Sequence, residues 1–130
     1  MDKIWTVIYY ETEDGECPVK DFILTRSLNN RAKILNIISL LEKKGPNLPR
    51  PFADYLENGI HELRIKLSGE QIRILYFFCY RDFIILTHPL HKTMDKVPKL
   101  EIDRAKNYRS DYLNRVNENL LRKDLINADI

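Results

Sequence analysis

Two adjacent runs of strand-forming residues, joined by a short turn, constrain this chain more than any other feature. From Glu62 to Leu67 polar and apolar residues alternate, which is the period-two pattern of a half-buried β-strand. Ser68-Gly69-Glu70 has the composition of a hairpin turn. The return run, Ile72–Phe78, is rich in β-branched and aromatic residues, as a well-buried strand requires. This stretch therefore predicts a β-hairpin within a sheet.

A cluster of positive charges falls on the predicted hairpin. Arg64 and Lys66 are two residues apart and point to the same face, and Arg73 returns on the partner strand within cross-strand reach. Like charges this close repel one another, so an anionic ligand is one explanation of the cluster. Two others stay open: a solvated strand face with scattered cations, or an ion pair between Arg73 and Glu62 across the hairpin.

The same alternation places the large residues of the return strand. Leu75 and Phe77 share the face of Arg73, whereas Tyr76 and Phe78 lie on the other face. We expect Tyr76 and Phe78 mainly in the core, with stacking on an unpaired base by either ring, or by an aromatic ring of the last helix, as the alternative.

Two further runs predict strands, Lys3–Tyr10 and Phe83–Thr87. Consecutive strands joined by tight turns should pair in the antiparallel sense. Between the first strand and the hairpin, Phe52–Asn58 is expected to form only a short turn, and His88–Lys96 is expected to leave the sheet after the last strand.

Three segments predict helices. Pro18 suits the first position of a short helix, and Asn29–Lys44, capped by Asn29 or Asn30, has apolar residues at helical spacing. Gly45-Pro46 ends that helix, so the two form a helical hairpin. Pro98, at the first helical position, opens a long last helix. The predicted fold is α+β, with helices packed on one antiparallel sheet.

The composition is that of an ordinary soluble domain. The chain has 130 residues, a formal net charge of +2 and only two cysteines, so any polyanion site must come from local clustering of cations. Cys17 and Cys79 show no metal or disulfide motif. The first residues lack a secretory signal pattern and no apolar run is long enough to span a bilayer, so we expect a cytoplasmic protein.

Several short motifs follow one another in a set order along the chain. They are Glu62-Leu63-Arg64-Ile65-Lys66, Gly69, Arg73-Ile74-Leu75-Tyr76-Phe77, His88, Lys92-Thr93, Lys99, Glu101-Ile102, Ala105 and Tyr112-Leu113. With these residues the chain resembles the RelE/HigB superfamily of bacterial toxins from type II toxin–antitoxin systems, and most closely its HigB-like, phage-derived branch. The resemblance makes residues 1–115 the toxin domain and leaves residues 116–130 as a helical tail of unknown role.

What the resemblance implies is a small RelE-like fold: an antiparallel sheet of about four strands, with an N-terminal helical hairpin and a C-terminal helix packed on it. It also implies an mRNA interferase, which is a ribosome-dependent endoribonuclease that cuts mRNA in the ribosomal A site and so inhibits translation. A cognate antitoxin, usually a helix-turn-helix protein of the HigA type, would hold the toxin inactive in a heteromeric complex.

Metal-free RNA cleavage needs a base for the 2′-hydroxyl proton, cations for the crowded phosphorane and an acid for the leaving 5′ oxygen. By resemblance, Arg64 and Arg73 would stabilise the phosphorane, and Lys66 would be a further clamp or a proton carrier. His88 would act as acid or base, with His91 as the alternative, and Lys92 would extend the cation cluster.

By the same resemblance, the last helix and the segment before it would bind RNA phosphates. The residues assigned to this role are Lys96, Lys99, Lys106 and Arg109. Interleaved carboxylates make a solvated helix face the alternative. His88 and His91 have no third ligand nearby, so neither a zinc site nor any other cofactor is predicted.

Two other functions remain possible at this point. A toxin of the same fold could poison DNA gyrase, as ParE relatives do, without nuclease chemistry. A non-catalytic module could use the cations only to bind an acidic protein partner. The Arg64, Lys66 and Arg73 cluster favours the nuclease, because a gyrase inhibitor has no need of a phosphate clamp, although fold alone does not decide function.

Overall fold

The computed structural model of the protein describes residues 5–93 and 95–128. Over this range the chain forms one five-stranded sheet and four α-helices, with a 3-10 turn at Gly45–Asn47. In chain order the elements are β1 (Thr6–Tyr9), α1 (Pro18–Leu24), α2 (Leu28–Lys44), β2 (Ala53–Glu57), β3 (Ile60–Leu67), β4 (Glu70–Cys79), β5 (Phe83–His91), α3 (Lys99–Arg115) and α4 (Glu118–Ala128). The predicted α+β class is confirmed.

The strand order in the sheet is β1-β5-β4-β3-β2. The predicted hairpin is confirmed, and β2, β3, β4 and β5 pair in the antiparallel sense. The expectation of about four strands, all antiparallel, is wrong: there are five, and β1 pairs in parallel with β5, Thr6 opposite Phe83. The tight-turn argument did not apply to β1, because the helical hairpin and three strands separate it from β5.

The fifth strand, β2, lies in the segment expected to be only a turn. Its sequence, Ala-Asp-Tyr-Leu-Glu, has little intrinsic strand preference, so pairing with β3 decides its conformation. The turn between them is Asn58-Gly59, with φ of 47° and 82°, the backbone geometry that a two-residue hairpin loop requires. The Asn-Gly pair was the sequence signal for this strand.

The last strand is longer than expected. The segment His88–Lys96 was predicted to leave the sheet, but β5 continues to His91, with Pro89 opposite Ile74. Proline is tolerated there because β1 covers only Phe83–Leu86, so the second half of β5 is a sheet edge.

Helices cover both faces of the sheet, and each face has its own core. The predicted alternation along β4 is confirmed: Tyr76 packs in the core beneath α1 and α2, whereas Leu75 and Phe77 pack in the core beneath α3. The first core also contains Val19, Ile34, Ile38, Leu41, Leu63, Ile65, Ile74 and Ile84, and the second contains Ile60, Phe83, Ile85, Ile102, Ala105 and Tyr112. The face of β3 and β4 that carries the arginines is the α3 face.

Two predicted helix starts need correction. Ser27, not Asn29 or Asn30, caps α2, because its hydroxyl accepts a hydrogen bond from the Asn30 amide at 3.2 Å. The buried Asn30 side chain instead accepts a hydrogen bond from the Ser68 amide at 3.1 Å and so fixes the β3–β4 turn to α2. Pro98 precedes α3 as its cap rather than opening it at the first helical position. Pro18 does open α1, as predicted.

The C-terminal helix α4 packs beside the β4–β5 turn. The Arg122 guanidinium lies 2.5 Å from Asp82, 3.0 Å from Glu118 and 4.8 Å from the centre of the Phe83 ring. These contacts hold the helix against the end of the sheet opposite to the β3–β4 turn. The division of the chain at residue 115 stays a prediction.

Gly45 should be a position of high sensitivity in this fold. Its φ is +54°, and a Cβ at this position would overlap the indole ring of Trp5, so Gly45→Ala adds a clash to an unfavourable backbone conformation. We expect a loss of about 2–4 kcal/mol in the free energy of unfolding, measured by urea titration. Gly15→Ala is the matched control, because φ is +91° there but the space around the new Cβ is open, and about 1 kcal/mol is expected. Equal losses in the two variants would contradict a contact between position 45 and Trp5.

Candidate functional site

The structure brings together the cations predicted on the hairpin. Arg64 and Arg73 are directly opposite each other on β3 and β4, and Lys66 lies two residues further along the same face. Arg64 is partly exposed, Lys66 is exposed and Arg73 is buried, with 6% of its surface accessible. The exposure of the three side chains therefore increases from Arg73, which is buried against the sheet, through Arg64 to Lys66, which is in solvent.

A buried carboxylate lies between the two arginines. Glu62 Oε1 is 2.9 Å from Arg73 Nη1 and its Oε2 is 3.1 Å from Arg64 Nη2, while the Glu62 side chain is only 3% exposed. Asp54 on β2 is a second carboxylate partner of Arg64, at 3.2 Å. The ion pair between Arg73 and Glu62 that the sequence left open is thus present, and it explains how two guanidinium groups occupy adjacent positions.

The lysines around this pair are not compensated in the same way. Lys66, Lys92 and Lys96 are exposed, and over residues 5–93 and 95–128 no carboxylate lies within ion-pair distance of them. Arg73 also donates a hydrogen bond from Nη1 to the Asp95 carbonyl, at 3.2 Å. The arginines are therefore held in place by acceptors of the protein, while the lysines carry the net positive charge available to a ligand.

Arg73 and Lys92 line two of the clefts that open at this cluster, and a third cleft, about 610 Å³, lies at the β3–β4 turn between Lys66, Glu70 and Lys92. Of the first two, the larger cleft, about 560 Å³, lies between α2, the segment before β2 and the β3–β4 hairpin, and Arg64 and Lys66 also line it. The smaller cleft, about 360 Å³, lies between the ends of β4 and β5 and the start of α3. Lys96 and Glu101 contribute to the smaller one.

The predicted acid–base residue His88 lies beneath the smaller cleft and does not line it. Its surface is 2% exposed, its Nδ1 is 3.0 Å from Thr87 Oγ1, and its Nε2 is 3.4 Å from Glu101 Oε1. Burial lowers the pKa of His88 to about 4, and Arg104 acts in the same direction while Glu101 opposes it. The imidazole is neutral near pH 7 and has no direct path to a ligand.

Thr87 influences which nitrogen of His88 carries the proton. The Thr87 hydroxyl has one proton and two acceptors in reach, the Leu75 carbonyl at 3.1 Å and Nδ1 of His88. When the hydroxyl donates to Nδ1, the ring proton is on Nε2 and points towards the Glu101 carboxylate. Glu101, partly exposed and part of the cleft wall, lies between this imidazole and the Arg104 guanidinium, whose Nη1 is 3.6 Å from Glu101 Oε1.

Sequence reasoning gave Glu101 no role. It was one of the residues that carried the family resemblance, but nothing in the spacing of residues 88 and 101 indicates contact between them. The contact depends on how α3 crosses β5, which only the tertiary structure provides. His91, the alternative acid–base residue, is exposed and lies 2.7 Å from Glu70.

The site described above lies within a segment of the chain that matches a known protein family. Residues 21–110, well over half of the chain, match the family model described as phage derived protein Gp49-like (DUF891). The chain belongs to this family. The Gp49-like family is a RelE/HigB-like toxin family of toxin–antitoxin systems, and membership suggests an antitoxin as the partner of this chain. No curated protein matches the chain.

In this Gp49-like protein the predicted RNA-binding residues differ in their contacts. Lys96 lines the smaller cleft, as described above. Lys99 and Lys106 both lie 2.7 Å from Glu57 on β2, and Arg109 donates to the Asn58 carbonyl at 2.5 Å. These contacts tie α3 to the end of β2 and the β2–β3 turn, and the RNA-binding role of the three residues stays a prediction.

The aromatic residues considered for base stacking are mostly packed against other residues of the protein. Tyr76 is 1% exposed and stacks on His61, with ring centres 5.2 Å apart, so neither face is free for a base. Phe78 is partly buried against Trp5, and Tyr112 on α3 is 4% exposed. The exposed aromatic residue at the cluster is Phe52, which lines the larger cleft and was not among the candidates.

Two further observations concern the described residues as a whole. Over residues 5–93 and 95–128, no group of three or more His, Cys, Asp or Glu side chains is arranged to hold a metal ion. None of the helices in that part of the chain has the length and apolar character needed to cross a membrane.

The environment of His88 predicts a dependence of stability on pH. The unfolded chain protonates His88 near pH 6.5 and the folded chain only near pH 4, so the stability that the neutral imidazole provides is complete above pH 6.5 and is lost as the pH falls towards 4. We expect a loss of up to about 3 kcal/mol in the free energy of unfolding across this window, measured by urea titration.

His88→Asn tests the assignment, because asparagine cannot take up a proton in this range. Burial also lowers the pKa of His61, so the variant should keep a residual slope, and His61→Asn is the matched control. A His88→Asn variant with the full pH slope of the native protein would show that His88 is not the group responsible.

Proposed function

We propose that this protein is the toxin of a HigB-like toxin–antitoxin pair, and that it is an endoribonuclease that cuts mRNA on the ribosome and so inhibits translation. The observation that supports this most is the arrangement at the two clefts: a fixed arginine pair, uncompensated lysines and a carboxylate lie on one open surface. These are the groups that cleavage through the RNA 2′-hydroxyl requires.

The proposed reaction uses the nucleophile of the RNA itself. Glu101 accepts the proton of the 2′-hydroxyl, the 2′ oxygen attacks the adjacent phosphorus, and the bond from phosphorus to the 5′ oxygen breaks. The products are a 2′,3′-cyclic phosphate and a 5′-hydroxyl, whose proton comes from the ammonium group of Lys92, the lysine that lines both clefts. His88 has a positioning role in this scheme, since it contacts Glu101 and not the cleft.

The cations have two different roles in this proposal. Arg64 and Arg73 keep unused N–H donors in a fixed orientation, which suits the developing charge on the phosphorane oxygens. Lys66 and Lys96 attract the RNA strand through their net charge. A HigA-like antitoxin would inhibit by covering the same lysines or by preventing the toxin from entering the ribosome.

The test of the proposed function is a map of RNA 5′ ends in cells after brief induction of the toxin. The native chain should create new ends inside translated codons, whereas Lys66→Gln/Lys92→Gln should reduce their number by at least about tenfold, because two uncompensated cations are lost. Lys20→Gln/Lys123→Gln removes the same charge from exposed lysines outside the clefts and should cleave as the native chain does. Arrested growth without new ends would contradict the nuclease and direct the next test to DNA gyrase supercoiling.

The role of Glu101 is tested separately with a variant of nearly the same shape. Glu101→Gln should lower the cleavage rate on programmed ribosomes by about 10²–10⁴, because the amide cannot accept the proton. Asp103→Asn is the matched control: it makes the same chemical change on the same helix, at a half-exposed residue that pairs with Lys99 outside the clefts. A Glu101→Gln variant with the native rate would remove Glu101 from the reaction while leaving the nuclease proposal intact.

A further inference from the structure

The larger cleft has an aromatic wall that the proposed cleavage chemistry does not use. Phe52 is 37% exposed, and Ile37 of α2 and Pro51 line the cleft beside it. Exposed apolar side chains are ordinary on a protein surface, and Phe52 differs from the other large ones in lining a cleft that cations also line. The wall therefore suggests a ligand with an apolar, flat part.

Backbone hydrogen bonds fix Phe52 next to the arginine pair. Its carbonyl accepts a hydrogen bond from the Arg64 amide at 2.8 Å, and its own amide donates to the Pro49 carbonyl at 3.0 Å. The ring is thus attached to a backbone segment that is aligned with β3 at the position of Arg64. A ligand bound by Phe52 would lie directly beside the cations.

The remaining groups of the cleft match the other parts of a nucleotide. Lys33, Arg64, Lys66, Arg73 and Lys92 line it, and none of the described residues that line it is a carboxylate. The amides of Asn36 and Gln71 offer both donors and acceptors, which is what recognition of a base edge needs. The volume of about 560 Å³ is within the range of small-ligand sites.

We propose that this cleft binds one unpaired base of the RNA strand, stacked on Phe52, next to the phosphate that the cations hold. The proposal rests on the proposed function, since it takes RNA as the ligand. Single-stranded nucleic acid is bound by this combination of aromatic ring and positive groove, because every base has a flat face for stacking and a phosphate beside it. An apolar side chain of a protein partner would contact the ring but leave Lys66 and Lys92 without a counter-charge.

The experiment measures binding of a short RNA that cannot be cleaved. The probe is a trinucleotide with 2′-O-methyl groups and a central 2-aminopurine, whose fluorescence falls when the base stacks on an aromatic ring. The native chain and Phe52→Trp should bind the probe and quench its fluorescence, whereas Phe52→Leu should bind about 5- to 100-fold more weakly, without quenching. Leucine keeps the apolar volume, so the difference reports stacking.

Tyr55→Leu is the matched control, because Tyr55 is a 56% exposed aromatic residue on β2 that does not line the cleft, and it should bind the probe as the native chain does. Undetectable binding by the native chain, or native affinity and quenching in Phe52→Leu, would overturn the base site. Failure of the nuclease proposal is seen independently in the map of RNA 5′ ends: a chain that binds the probe through Phe52 but creates no new ends keeps the base site and loses the enzyme.

Discussion

The buried contact of Glu62 with two arginines is the interaction on which the rest of the site depends. Arg64 and Arg73 occupy adjacent positions on neighbouring strands, where like charges are unfavourable. Glu62 lies on the same face, two residues before Arg64, and is within ion-pair distance of both guanidinium groups. Taking the charges of Glu62 and Arg73 out of water has a large desolvation cost, so the contact is explained better by the geometry that it imposes than by stability.

The open position of the cations also depends on which parts of the sheet have outer strands. β1 covers β5 only from Phe83 to Leu86, and β2 covers β3 only from Ile60 to Leu63. The other halves of β3, β4 and β5 therefore form a three-stranded part of the sheet without outer neighbours among the described strands. This part of the sheet, or its end, carries Arg64, Lys66, Arg73 and Lys92, and both clefts open there. Incomplete outer strands thus create the surface that the cations line.

The sequence predicted the structure correctly where the period-two alternation of a strand alone determines it. The alternation across Glu62–Leu67 and the turn at Gly69 were enough to predict that Arg64 and Arg73 meet and that Phe77 and Tyr76 face opposite cores. β2 was missed because its residues have weak strand preference and gain their conformation from β3. The parallel pairing of β1 was not predictable because it joins strands far apart in the chain, and the contact of His88 with Glu101 was not predictable because it depends on how α3 crosses β5.

A register shift explains the buried position of His88. Leu75 is opposite His88 but Tyr76 is opposite Leu86, so Thr87 is the extra residue of a bulge in β5. The bulge leaves Thr87 and His88 both fully buried, in contact with each other, and directs the imidazole beneath α3. A histidine at the end of a regular strand would instead be expected near solvent, where it could titrate near neutral pH.

Because of this bulge, a fixed position and access to the smaller cleft belong to two different residues, His88 and Glu101. The buried imidazole has a fixed environment but no access to solvent, while Glu101 has access to the smaller cleft and one oxygen against that imidazole. The arginines and lysines divide their roles in a parallel way, since the former are fixed by Glu62 and the latter provide net charge. In both cases a buried group fixes the position of an exposed neighbour, and under the proposed function that neighbour contacts the ligand, as in a preorganised site.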